Sequence, residues 1–194
     1  GFTALVYEVA WTRVLSLILG SSIYAFSTML ATFLLGLALG SALFTQLLNR
    51  FKWPIRTFAL VQIGIALSCY ATSTLMEKLP YFFLQALAWG LPIFQNHPDR
   101  LIMILWFVTT AAVMILPTLL FGGTFPLVVK IYYLYAHKMG RTAGDVYSVN
   151  TAGAILGAFL GGFVLIPTLG LQWTLLLTIL VNLGLGILII LAVP

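Results

Sequence analysis

Apolar residues run through this chain in stretches that match the thickness of a bilayer, which takes about 20 helical residues to cross. The pattern predicts six such spans, at about residues 1–20, 23–48, 55–76, 101–120, 145–167 and 172–193. Polar punctuation separates them: Ser21 and Ser22, the basic loop NRFKWP from Asn49 to Pro54, and the turn Thr168–Gly170. The stretch from Glu77 to Arg100 is mixed. Its Leu79, Phe82, Phe83, Ala86 and Leu87 recur at helical spacing, and its aromatic rings suit a headgroup layer. It reads as a surface-lying amphipathic helix followed by a loop. Pro117, Gly122, Gly123 and Pro126 are expected to kink or break the fourth span, with a helical tail reaching about Tyr135. The chain opens on Gly1, already in apolar sequence, and closes on Pro194 without a polar tail, which reads as a fragment.

Composition agrees with the pattern. Of the 194 residues, 62% are hydrophobic and only 7% are charged, against about 25% charged in soluble domains. With a mean hydropathy of +1.12, too few polar side chains exist to cover a water-facing surface. The fold class is therefore an all-α membrane protein, a single transmembrane domain over 1–194 whose partner is the lipid bilayer. The lone Cys69 excludes an intrachain disulfide.

Charge sets the topology. Arg50, Lys52 and Arg56 follow span two, and Lys130, Lys138 and Arg141 lie between spans four and five. The opposite side carries Lys78 and Arg100 alone. Short loops rich in Lys and Arg stay in the cytoplasm, so both termini are expected there, in a cell inner (plasma) membrane. The basic residues sit in two loops and not on one folded face, which argues against a nucleic-acid partner.

Two glycine stripes stand out. Gly153, Gly157 and Gly161 share one face of span five, and Gly36 and Gly40 form a similar stripe on span two. Such faces let helix backbones approach closely, and the two stripes are expected to meet each other. Glu8 and Arg13 are ionisable groups at membrane depth, each costing about 2.5–3.5 kcal/mol on insertion scales. Five residues apart, they point about 140° away from each other. Both are expected to face the interior, near Tyr147, Asn150 or Gln62, as a candidate intramembrane polar site, the alternative for Arg13 being to snorkel to the interface. Asn182 offers a further amide for cross-helix bonding. Asp145 is expected to cap the N-terminus of span five. His97 and His137 stand alone, so no metal is assigned, and no cofactor motif or nucleophile–base pair is readable. Trp53, Trp89 and Trp106 fall near the membrane interfaces as anchors.

Several runs carry a family resemblance. They are Tyr7-Glu8 with Trp11 and Arg13, then Leu19-Gly20-Ser21-Ser22, then Gly36 to Ser41. Further along come Phe121-Gly122-Gly123-Thr124-Phe125-Pro126 and the run around Tyr147, Asn150, Thr151, Gly153, Ala154, Gly157 and Gly162-Phe163. Together they resemble the membrane domain of bacterial membrane-bound spermidine-synthase-like proteins, which is similar to half of a major facilitator transporter. The resemblance implies a polyamine-related role and a soluble aminopropyltransferase-like domain following Pro194. Nothing in this segment matches the acidic amine-binding motifs or the glycine-rich turn of that transferase, so no catalytic residue carries over. Three readings follow. One is a non-catalytic membrane module that anchors the transferase and serves polyamine-type transfer or transport. The second is a half-transporter pairing with another copy or chain as an oligomer. The third is a structural subunit of a larger membrane complex.

Overall fold

A computed structural model describes residues 1–20, 22–136 and 139–193, leaving Ser21, His137, Lys138 and Pro194 outside the described residues. Every long element is a helix: α1 (Phe2–Leu19), α2 (Ile23–Leu47), α3 (Pro54–Gly90), α4 (Pro98–Ala136), α5 (Met139–Leu160), α6 (Ile166–Leu169) and α7 (Leu171–Ala192). A π-helical turn, Gly161–Leu165, joins α5 to α6. Six helical stretches are long and apolar enough to span a membrane, which makes this a multi-pass membrane protein.

Two helices run past their expected ends. α3 continues through Pro80 to Gly90, so the stretch expected to form a separate surface-lying helix is the distal end of the third span. Its buried side chain Leu79 joins the core, while Tyr81, Phe82, Leu84 and Trp89 point outward. Similarly, α4 passes unbroken through Pro117 and Pro126. A proline inside a helix leaves the carbonyl four residues earlier without its donor. For Pro117 that carbonyl belongs to Val113, and the Thr72 hydroxyl of α3 donates to it at 3.0 Å. A neighbouring helix thus replaces the missing bond, and α4 stays helical.

The glycine stripes are both used, but not against each other. Gly36 and Gly40 of α2 lie on α4, against Thr118 and the backbone of Leu119. Gly122 and Gly123 of α4 return the contact, on the backbone of Leu37 and the ring of Phe44. The stripe on α5 packs instead on α1, with Gly157 on the Phe2 backbone and Gly161 on Val6. Face matching alone could not choose between these partners, since any small-residue face accepts any backbone. α3 closes the bundle against α4 and α7, where Gly186 abuts Ala59 and Ile63. The turns before α2 and α7 depend on Gly20 and Gly170, whose φ values of 85° and 80° suit glycine.

Lys130, counted above as a loop charge, sits inside α4 and is half-buried. Its ammonium donates to the Leu48 carbonyl and, at 3.5 Å, to that of Phe51. It therefore ties α4 to the turn that ends α2, where helix-terminal carbonyls favour a cation.

Candidate functional site

Glu8 and Arg13 project from different sides of α1, as their spacing requires, and the structure does not bring them together. Arg13 is exposed and not interior. Its guanidinium donates to the Gly162 carbonyl at 3.3 Å. The reason lies in the π turn. The Ile166 N–H bonds to Gly161, five residues back. In that register the next N–H, which would serve Gly162, belongs to residue 167, a proline with none to give. Arg13 supplies the missing donor, so its charge has a structural role between α1 and α5. Glu8 is half-buried and makes no hydrogen bond among the described residues.

The other two members of the expected polar site are elsewhere, on α5. Tyr147 is 62% exposed and meets Phe125 edge-on at 6.4 Å. Asn150 is half-buried. Both border a cavity of about 300 Å³ that also reaches Thr3 and Gln62. A second cavity of about 600 Å³ shares Thr3, Gln62, Thr124 and Asn150 with the first. Together they form a cleft around the start of α1, bordered by α2, α3, α4, α5 and α7. Its size is that of a small-molecule site.

The lining of the larger cavity has a distinct chemistry. Among the described residues Asp145 is its only charged side chain. It does not cap α5, because that helix starts at Met139. Gln62, Asn150 and Asn182 contribute amides, while Phe2, Phe58, Phe125 and Tyr132 contribute aromatic rings. A carboxylate, amide oxygens and ring faces all attract cations. Among the described residues no basic side chain lines it, and Lys130 lines an adjoining groove that shares Ser41 and Phe125 with the cleft.

Beneath this cleft lies a buried polar cluster. Tyr7 and Trp11 are stacked, with ring centroids 5.2 Å apart. The Tyr7 hydroxyl lies beside the Cys69 thiol and the Asn182 amide. Sequence reasoning named Asp145 and Asn182 for capping and packing alone. Their convergence required the helix order around the bundle, which no local spacing encodes. Among the described residues no His, Cys, Asp and Glu cluster could hold a metal. Compared with known proteins, the chain matches no family, no curated protein and no solved structure.

Proposed function

We propose that this chain is the non-catalytic six-helix membrane domain of a spermidine-synthase-like protein, and that its cleft receives a polyamine-type cation. The observation that carries this reading is the lining of the larger cavity, which among the described residues holds one carboxylate, three amides and four aromatic rings and no basic side chain. That set binds ammonium groups by charge, hydrogen bonding and cation–π attraction together. The motif resemblance supplies the polyamine class, with the soluble transferase following Pro194. The domain lies in the inner (plasma) membrane with both termini cytoplasmic, as the basic residues Arg50, Lys52 and Arg56 favour. The aromatic end of α3, from Tyr81 to Trp89, sits at the opposite headgroup layer.

Equilibrium binding of radiolabelled spermidine to the chain in nanodiscs tests the reading. Saturable binding, weakened about tenfold or more by Asp145→Asn, is expected. Absence of saturable binding to the wild-type chain would refute it.

A half-transporter resembling one half of a major facilitator is the second reading. It is favoured by α1, where Glu8, Thr12 and Ser16 lie on one helical face and none is fully covered. A second six-helix unit would cover that polar face. Cross-linking of Thr12→Cys into dimers in native membranes is its expected signature, and a strictly monomeric product removes it.

A further inference from the structure

We infer that the groove between α2 and α4 holds one anionic phospholipid, its phosphate against the Lys130 ammonium and an acyl chain along α4. This site is separate from the polyamine reading and does not depend on it. The groove measures about 570 Å³. Asn49 borders it at the turn that ends α2, and Ser41 and Thr45 border it further back along that helix. The facing wall is α4, from Phe125 to Leu134. Tyr133 and Leu134 are both exposed, so the groove is open to the surroundings.

Its polarity changes along its length. α2 and α4 run in the same direction, since Gly36 lies on Thr118, Leu37 on Gly122 and Phe44 on Gly123. On both helices the later residues are therefore nearer the membrane surface. Asn49, Lys130 and Tyr133 stand at that end, while Phe125, Pro126 and Val129 stand deeper in the apolar layer. From Pro126 to Leu134 the groove runs about 12 Å. A cationic, donor-bearing end above an apolar trough matches a phospholipid, which the bilayer itself supplies. A free phosphate makes no use of the trough, and an uncharged chain makes none of the ammonium.

Lys130 decides the charge of the lipid. Its ammonium donates to the Leu48 and Phe51 carbonyls, but neutral carbonyls leave its full charge in place, and the residue is half-buried. A charge drawn partly out of water is stabilised by an opposite charge beside it. Among the described residues no carboxylate lines the groove. The chain has four acids. Glu77 borders the start of α7 and Asp99 opens α4, both at the opposite end of the bundle. Glu8 lies on α1, and Asp145 lines the adjoining cleft. A phosphodiester supplies the counter-ion, and the Asn49 amide and Tyr133 phenol add donors for its oxygens. In a zwitterionic lipid the headgroup's own ammonium offsets the phosphate, so the anionic lipid is preferred.

Native mass spectrometry of the detergent-solubilised chain tests this, with phosphatidylglycerol and phosphatidylcholine of the same acyl chains as probes. One phosphatidylglycerol should bind about tenfold more tightly than phosphatidylcholine, a difference of the size one charge-assisted hydrogen bond produces. Lys130→Met should reduce that preference to about twofold or less. Val129→Trp, which fills the trough, should weaken binding of both lipids. Lys52→Gln, at an exposed position that lines no part of the groove, should leave the preference unchanged, and excess inorganic phosphate should not displace the lipid. Equal binding of the two lipids by the wild-type chain overturns the proposal. So does an equal loss of preference in Lys52→Gln and Lys130→Met, which would mean a diffuse surface charge. Displacement by inorganic phosphate, or undiminished binding by Val129→Trp, would mean that no chain lies in the trough, and overturns it as well. If Lys130→Met does not fold, the other two variants and the phosphate competition decide.

Discussion

Removing the Arg13 side chain should destabilise the bundle only because residue 167 is a proline. The Gly162 carbonyl lies at the π turn, where Pro167 offers no N–H, and the Arg13 guanidinium fills the gap at 3.3 Å. Hydrogen bonds from charged groups contribute about 1.5–3 kcal/mol when well formed. This one is long and its donor is exposed, so about 1 kcal/mol is expected from Arg13→Leu. Pro167→Ala restores a backbone N–H to the turn, whether that turn stays π or relaxes to α. In that background the same Arg13→Leu change should cost close to nothing. The pair forms a double-mutant cycle with a coupling of about 1 kcal/mol. Unfolding in mixed micelles by SDS titration, followed by helical circular dichroism, measures all four corners. An equal cost of Arg13→Leu in both backgrounds would refute the reasoning, because Arg13 would then be acting through something other than the orphaned carbonyl.

Other consequences are simpler. Gly40→Ala places a methyl group on the Leu119 backbone and should cost about 1–3 kcal/mol by overpacking. Gly184→Ala, in open space, should stabilise α7 by up to about 1 kcal/mol; the same SDS titration should give opposite signs. Lys130→Met removes the ammonium bonds to the Leu48 and Phe51 carbonyls, leaving Leu48 only the Phe51 N–H, and should lower stability by about 1–2 kcal/mol. Glu8→Gln removes a charge that has no partner among the described residues, so the variant should be no less stable than wild type; a loss above about 1 kcal/mol would reveal a bonded carboxylate. Thiol labelling of Lys52→Cys and Gln95→Cys, both exposed positions, should occur from opposite sides of the membrane, Lys52 from the cytoplasm. Labelling of both from one side would overturn the six-span topology.

The spans were legible because hydropathy and length suffice to define a membrane helix. Their ends were less so. Pro117 and Pro126 read locally as breaks, yet the lost bond at Val113 is made good by Thr72, forty-one positions away. Arg13 likewise was expected to meet Tyr147, Asn150 or Gln62, and its acceptor is a backbone carbonyl freed by Pro167. Both answers depend on which helix lies beside which, and sequence periodicity does not carry that. Asn150 was legible as part of a polar site. Asp145 and Asn182 were visible as residues, but their meeting with it at one cleft was not.

Access to that cleft is the point on which the account turns most directly. Asn150→Cys should react with a membrane-impermeant thiol reagent applied from the side that labels Lys52→Cys, while the buried Cys69 stays unreactive. Spermidine should slow the reaction in proportion to its occupancy of the cleft. An Asn150→Cys chain that resists the reagent in native membranes, or reacts at the same rate with and without spermidine, would contradict a water-filled amine site at the heart of this bundle.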